Sequence, residues 1–167
     1  MIVSLWRHGQ AGSAATDRVR ELTGTGTDDV GFGCHQFHDT CENRRLPPPD
    51  VILHSPWVRT RQTADIIATA FTHAAKRDCE GLAPDSGIND VEDAVSQLLD
   101  RDPGLEHVLL VMHQPLVSSV ITRWLGDHSR VPALCPGGVA SLSLLHPGPG
   151  CAQLLFWSFP PEYEAGL

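Results

Sequence analysis

Residues 2–9 read Ile2-Val3-Ser4-Leu5-Trp6-Arg7-His8-Gly9, a mostly apolar run that ends abruptly in arginine, histidine and glycine. The length of the apolar part favours a buried β-strand over a helix. Two later segments share this design: Val51–His54 precedes Ser55-Pro56, and Val108–Met112 precedes His113-Gln114-Pro115. We interpret all three runs as strands whose carboxyl ends carry polar side chains.

Helical patterns separate these strands. Val30, Cys34, Phe37 and Cys41 recur at the spacing of one helix face, which predicts a helix that ends before Pro47. The segment from Cys34 to Cys41 superficially resembles a zinc cluster, but it lacks paired C-x2-C spacing. Free cysteine is often buried, so we favour a buried helix face and predict no metal site.

Capping residues indicate where further helices begin. Ser55 and Pro56 match the N-cap and the first position of a second helix, which would explain Ser55 without a contact to any ligand. The predicted apolar face of that helix comprises Val58, Ile66, Ile67, Ala70 and Phe71. Asn89 or Asp90 would cap a third helix, and a fourth would follow Pro115.

The order of these elements predicts the fold class. Val139–Leu145 and Leu154–Phe159 are two more strand candidates, separated by a short turn region, and they suit an antiparallel pair at one edge of the sheet. Strands that alternate with helices predict an α/β three-layer sandwich, in which a largely parallel central sheet has helices on both faces. We expect one domain over residues 1–167, a common domain size.

Composition excludes two classes of partner. The chain has 12 lysines and arginines against 20 acidic residues, a formal net charge of −8, and no basic cluster with which to bind a nucleic-acid backbone. The run Val108–Met112 is far shorter than the roughly 20 apolar residues of a spanning helix, so we expect no membrane insertion. The five cysteines lack the dense spacing of a disulfide framework, and the start lacks a signal-peptide pattern. We therefore expect a cytoplasmic protein with reduced thiols.

Four side chains should meet at one edge of the sheet. Ligands bind at the carboxyl ends of the strands in open α/β folds, where Arg7, His8, Arg59 and His113 would converge. Arginine donates hydrogen bonds in a fork that matches phosphate oxygens, and histidine can donate or attack. The sequence therefore predicts a pocket for a dianionic phosphoryl group.

Several segments also match a known pattern: they are Leu5–Ala11, Val19–Thr23 with Gly26, His54–Ala64, Val111–Ser118 and Gly138–Leu142. The first of them carries Arg-His-Gly at the end of the first predicted strand. On these segments the chain resembles the histidine phosphatase superfamily, and within it the short SixA-type phosphohistidine phosphatases. The resemblance implies the phosphoglycerate mutase-like fold, in a minimal version without a lid insertion.

The resemblance also implies roles for individual residues. His8 would be the nucleophile that becomes phosphorylated, while Arg7, Arg59 and His113 would hold the phosphoryl oxygens, with Arg20 as a further contact. The family needs no metal or other cofactor. Because His8 must attack from an unprotonated nitrogen, we expect its other nitrogen to donate to a carbonyl in the loop of residues 9–12.

One departure concerns the general acid. Larger relatives protonate an alkoxide leaving group with a carboxylic acid from an inserted segment, which this chain is too short to carry. Glu80 and Asp85 are the only candidates near the equivalent region. A phosphoryl group on imidazole would tolerate the absence of an acid, because protonated imidazole is already a good leaving group.

These observations predict a phosphatase. The favoured substrate is a protein that bears phosphohistidine, either a phosphotransfer domain or a phosphocarrier, with phosphate as the product. One alternative is a phosphomonoesterase for small-molecule phosphates, which would need an acid in the 80–90 loop. Another is a non-catalytic phosphate-binding module, which would suit a chain whose nucleophile or arginines were lost.

Overall fold

A computed structural model describes residues 1–128 and 130–167, which form one six-stranded sheet with helices against it. The strands are β1 (Ile2–Arg7), β2 (Val51–His54), β3 (Ala75–Asp78), β4 (His107–Met112), β5 (Val139–Leu144) and β6 (Ala152–Ser158). The helices are α1 (Gly24–Arg44), α2 (Val58–Ala70), α3 (Ile88–Arg101) and α4 (Leu116–Leu125). Short 3-10 helices cover Asp17–Val19 and Glu80–Leu82.

The sheet is mixed, with strand order β3-β2-β4-β1-β5-β6. Strands β3, β2, β4 and β1 are parallel neighbours, while β5 runs antiparallel to β1, and β6 antiparallel to β5. The predicted parallel sheet with an antiparallel pair at one edge is therefore confirmed. Arg7 lies opposite Met112, and His54 lies opposite Val111, so the carboxyl ends of β1, β2 and β4 are level.

Apolar cores lie on both faces of the sheet. On strand β4, alternate side chains enter different cores: Val108, Leu110 and Met112 join one core, and Leu109 and Val111 join the other. The first core contains the buried apolar side chains of α3 and α4, and the second contains those of α1 and α2. This arrangement confirms the predicted three-layer sandwich.

The buried stripe of α1 is as the sequence predicts. Val30, Cys34, Phe37 and Cys41 are all buried, and the helix ends at Arg44, before Pro47. Burial raises the pKa of both thiols to about 12, which opposes the thiolate form that zinc requires. These cysteines contribute to the packing of α1 against the sheet.

The predicted start of α2 is wrong. The helix begins at Val58 with Trp57 as its N-cap, and the Ser55 hydroxyl instead contacts His113. The predicted apolar face does pack against the core through Ile66, Ile67, Ala70 and Phe71, but it is incomplete, because Thr60 and Thr63 are also buried on this helix. The half-buried positions of the predicted face are Val58, Ile66 and Ala70. Burying these threonines is tolerated because each hydroxyl hydrogen-bonds a backbone carbonyl.

The start of one further helix differs from the prediction. Helix α3 begins at Ile88 after Gly87, whose backbone N–H donates to the Asp90 carboxylate over 2.7 Å. Asp90 thus stabilises the first turn from inside the helix rather than as its N-cap.

The sequence analysis missed β3 (Ala75–Asp78), because this edge strand is mostly exposed and polar. Within the described residues, no helix is long and apolar enough to cross a bilayer.

The start of α1 packs closely against the segment that follows His8. A Cβ atom on Gly26 would lie 2.2 Å from the Gln10 carbonyl oxygen, whereas one on Gly31, in the same helix, would meet nothing within 4 Å. We expect Gly26→Ala to destabilise the fold by about 1–3 kcal/mol through overpacking. Gly31→Ala should instead stabilise it by about 0.5–1 kcal/mol, because alanine loses less entropy in a helix. Urea denaturation measures both changes, and equal effects of the two substitutions would contradict this close packing.

Candidate active site

The carboxyl ends of β1 and β4 and the start of α2 surround a pocket of about 340 Å³. Arg7 and His8 come from the end of β1, His113 follows β4, and Arg59 lies in the first turn of α2. The structure thus brings together the four side chains that the strand-end argument selects, and it adds Arg20. The remaining lining residues are Gln10, Ala11, Asp17, Pro84, Gln114 and Pro136.

The proton of His8 can be located from its contacts. Its Nδ1 lies 2.8 Å from the Gly9 carbonyl oxygen, which can only accept, so Nδ1 carries the proton. Its Nε2 then has a lone pair, which accepts a hydrogen bond from Arg59 Nε over 3.0 Å. The expected contact between His8 and a carbonyl of the following loop is therefore present, and Nε2 is the ring nitrogen that has a lone pair.

Burial keeps His8 neutral. It lowers the pKa of this imidazole from 6.5 to about 4, with further lowering by the positive charges of Arg59, Arg7 and Arg20; the hydrogen bond to Gly9 acts in the opposite direction. His8 is consequently unprotonated at Nε2 throughout the neutral range. A neutral imidazole beside several guanidinium groups can attack an anionic phosphoryl group.

The pKa of His8 can be tested by an NMR titration of the free protein. We expect the His8 imidazole resonance, assigned by its loss in His8→Ala, to titrate with a midpoint near pH 4 because burial disfavours the charged ring. A midpoint near 6.5 would show that the ring is solvated. Circular dichroism must accompany the titration, because burial also lowers the pKa of His107 to about 4. Because the pKa values of His8 and His107 are lower in the folded state, the unfolded state binds more protons than the folded state between pH 6.5 and 4. The fold therefore loses stability as the pH falls through that window.

Three arginines supply the positive charge of the pocket. Arg7 donates from one terminal nitrogen to the Leu134 carbonyl oxygen over 2.8 Å, while its buried Nε has no partner among the described residues. Arg20 donates from Nε to the Gly12 carbonyl oxygen over 2.7 Å. These backbone contacts hold the side chains in place and leave guanidinium nitrogens that can bind a phosphoryl group.

His113 is held from two sides. Its Nε2 lies 2.8 Å from Ser55 Oγ, and the Trp57 ring packs edge-on with a centroid separation of 5.3 Å. Burial, with further lowering by the neighbouring His8 ring and by the positive charge of Arg59, lowers the pKa of His113 to about 3. The Arg59 guanidinium carbon lies 4.9 Å from the centre of the Trp57 ring, a cation–π contact that orients Arg59. Trp57 thus packs behind two of the residues that line the pocket.

The sequence analysis missed Asp17, the only carboxylate among the described residues that line the pocket. It accepts hydrogen bonds from Arg20 over 2.8 Å and from Arg59 over 3.2 Å. The hydrogen bond from Arg20, with further lowering by Arg59, lowers the pKa of Asp17. The spacing Asp17-x-x-Arg20, typical of a pair within one helical turn, was the available signal.

The structure does not bring the two proposed general acids to the pocket. Glu80 and Asp85 are exposed, and neither is among the described lining residues, although Pro84 is. His54 is not among the described lining residues either: its Nδ1 contacts the Ser55 carbonyl oxygen and its Nε2 lies 3.4 Å from Asp78.

Comparisons with known proteins agree with the fold described above, although no protein-family model matches the chain. The phosphohistidine phosphatase SixA homolog of Haemophilus influenzae is 27% identical over 146 residues, covering 85% of this chain and 87% of that protein. The solved structure of the protein histidine phosphatase SixA complexed with tungstate has a TM-score of 0.76 and 23% identity, covering 96% of this chain and 97% of that one. A SixA crystal structure from Agrobacterium tumefaciens has a TM-score of 0.74 and 24% identity, covering 95% of this chain and 97% of that one.

The chain is thus similar to SixA phosphohistidine phosphatases over most of its length and shares the fold of these solved structures. This is the phosphoglycerate mutase-like fold expected from the sequence. The neutral His8 and the surrounding guanidinium groups suit a phosphoryl transfer in which the protein supplies both the nucleophile and the charges that stabilise the equatorial oxygens.

Proposed function

We propose that this protein is a histidine phosphatase, which removes the phosphoryl group from phosphohistidine on another protein. His8 is the nucleophile, Arg7, Arg59 and His113 bind the phosphoryl oxygens, and Arg20 is a further contact. The substrate is a phosphotransfer domain or a phosphocarrier, and the product is phosphate. The free cysteines of the described residues favour a cytoplasmic location.

One observation carries this choice of substrate: the described pocket offers a nucleophile but no carboxylic acid. Its lining carboxylate, Asp17, is bonded to Arg20 and Arg59, which favour the ionised form. An alkoxide leaving group would need a proton from such an acid. A phosphorylated imidazole that is protonated on its second nitrogen needs none, because it leaves as neutral imidazole.

Each step then balances with the groups present. His8 Nε2 forms a bond to phosphorus as the bond from phosphorus to the substrate nitrogen breaks, and that nitrogen keeps the electron pair. The His8 Nδ1 proton stays on the ring, held by the Gly9 carbonyl oxygen. Phosphorylated His8 is therefore itself a protonated imidazole, so attack by water releases phosphate and restores the neutral ring.

The relatives support this proposal. The Haemophilus protein is named a phosphohistidine phosphatase SixA homolog. The SixA protein of known structure is complexed with tungstate, a tetrahedral oxyanion similar in shape to phosphate.

A substrate comparison tests the proposal. A phosphotransfer domain phosphorylated on histidine should be dephosphorylated with a kcat/KM at least about a hundredfold above that of sugar phosphates, because the alkoxide leaving group of these esters needs a general acid. Faster ester hydrolysis that is abolished in Asp85→Asn or Glu80→Gln would identify a phosphomonoesterase instead. Phosphate binding without turnover of any substrate would identify a binding module.

Metal removal provides a separate prediction. Because the proposed steps draw all their positive charge from side chains, we expect turnover to survive overnight dialysis against a chelator with less than about a twofold loss. Residual metal measured by atomic emission is the control for complete removal. Loss of turnover that zinc restores would contradict the proposed mechanism.

A further inference from the structure

Ser55 lies directly after β2 and is fully buried beside His113. Its hydroxyl oxygen has two neighbours: the Trp57 backbone nitrogen at 3.3 Å and His113 Nε2 at 2.8 Å. The sequence suggests only a helix cap for this residue. The contact with His113 indicates a role in the active site.

The partners of the Ser55 hydroxyl indicate the direction of both hydrogen bonds. A backbone N–H can only donate, so the Ser55 hydroxyl oxygen accepts from Trp57. The hydroxyl proton then needs an acceptor, and His113 Nε2 is the one that the described structure provides. An acceptor nitrogen is unprotonated, so a neutral His113 ring must carry its proton on Nδ1.

We propose that Ser55 is a positioning residue that holds neutral His113 in the tautomer with the proton on Nδ1. His113 Nδ1 is buried and has no partner among the described residues. His113 also lines the pocket, with its ring centre 5.1 Å from that of His8. The tautomer therefore provides a free N–H donor next to the nucleophile.

The tautomer matters because His113 is neutral. A protonated ring could donate from both nitrogens, but burial and the neighbouring positive charges disfavour that form. In the opposite neutral tautomer, Nδ1 would present a lone pair to a phosphoryl oxygen and repel it. Ser55 thus makes an uncharged histidine a hydrogen-bond donor to the transferring group, a role that rests on the proposed function.

The tautomer can be measured without any substrate. Long-range proton–nitrogen correlation spectra of the ¹⁵N-labelled free protein at pH 7 should show His113 with a protonated Nδ1 and an unprotonated Nε2, the signals being assigned by their loss in His113→Gln. Protonated Nε2 in the wild type would overturn the proposal, whatever any variant does. In Ser55→Ala the His113 ring should shift towards a mixture of tautomers. Unchanged tautomer populations in this variant would equally overturn the proposal.

Kinetics then test whether the tautomer affects turnover. We expect Ser55→Ala to lower kcat/KM by roughly ten- to a hundredfold, mainly through kcat, because a preorganised donor acts most strongly in the transition state. Ser119→Ala removes an exposed hydroxyl from α4 and should leave turnover unchanged. Wild-type kcat/KM in Ser55→Ala despite a shifted tautomer would contradict the positioning role. If the wild type hydrolyses no phosphohistidine while the spectra show protonated Nδ1, the proposed function fails and the tautomer assignment stands.

Discussion

Replacing His8 with alanine is expected to lower kcat by more than about a thousandfold and to eliminate any phosphorylated form of the enzyme. The reason is that His8 Nε2 combines a lone pair, neutrality and a place among the arginines, and alanine offers no replacement. The measurement is incubation with a ³²P-labelled phosphohistidine protein, followed by an alkaline quench and gel separation. Phosphohistidine survives alkali and is lost in acid, so label on the wild type should show that pattern.

A matched control separates the loss of His8 from the loss of any histidine. His73 lies exposed in the turn that follows α2, and His73→Ala removes the same ring from outside the pocket. This variant should keep wild-type turnover and labelling. Alkali-stable label that persists on His8→Ala would assign the nucleophile to another residue.

The positions of Arg7, His8 and His113 follow from the sequence because each residue lies at the end of a mostly apolar strand or just beyond it. A parallel sheet places the carboxyl ends of such strands at one edge, so no knowledge of side-chain packing is needed. The observed register, in which Arg7 lies opposite Met112, satisfies this condition. Arg59 follows from the same argument because it lies one short connection beyond β2.

Ser55 shows where local reasoning fails. Serine before proline is a sound N-cap signal, and the same hydroxyl does accept a nearby backbone N–H. Its other partner, His113, is 58 positions away in the chain, and only the pairing of β2 with β4 brings the two together. Local propensity cannot report such a contact.

Tyr163 is a second example. The sequence assigns no role to the C-terminal segment, yet the buried Tyr163 hydroxyl donates to the Gly137 carbonyl oxygen over 3.0 Å. The Gly137 backbone N–H in turn donates to the carbonyl oxygens of Arg7 and His8. The segment that supports the site therefore lies far from it in sequence and carries no motif of its own.

Arg59→Ala is expected to lower kcat/KM by about a hundred- to a thousandfold, the usual effect of removing a preorganised charge-stabilising donor. Arg59 bridges two parts of the site: its Nε donates to His8, and its terminal nitrogens donate to Asp17. Alanine removes the cation that would face the phosphoryl group and also leaves Asp17 bonded to Arg20 alone. Steady-state turnover of the phosphohistidine protein measures the combined loss.

Two companion variants separate these contributions. Arg61→Ala removes an exposed arginine of the same helix, whose side chain contacts the Pro56 carbonyl oxygen, and it should leave kcat/KM unchanged. Adding Asp17→Asn to Arg59→Ala removes the carboxylate that would repel a dianionic phosphoryl group. The kcat/KM of the double variant should therefore be about five- to tenfold above that of Arg59→Ala, in line with the cost of a like charge that is only weakly compensated. A double variant no better than Arg59→Ala would mean that Asp17 does not oppose phosphoryl binding, and the whole loss would then belong to the missing guanidinium group.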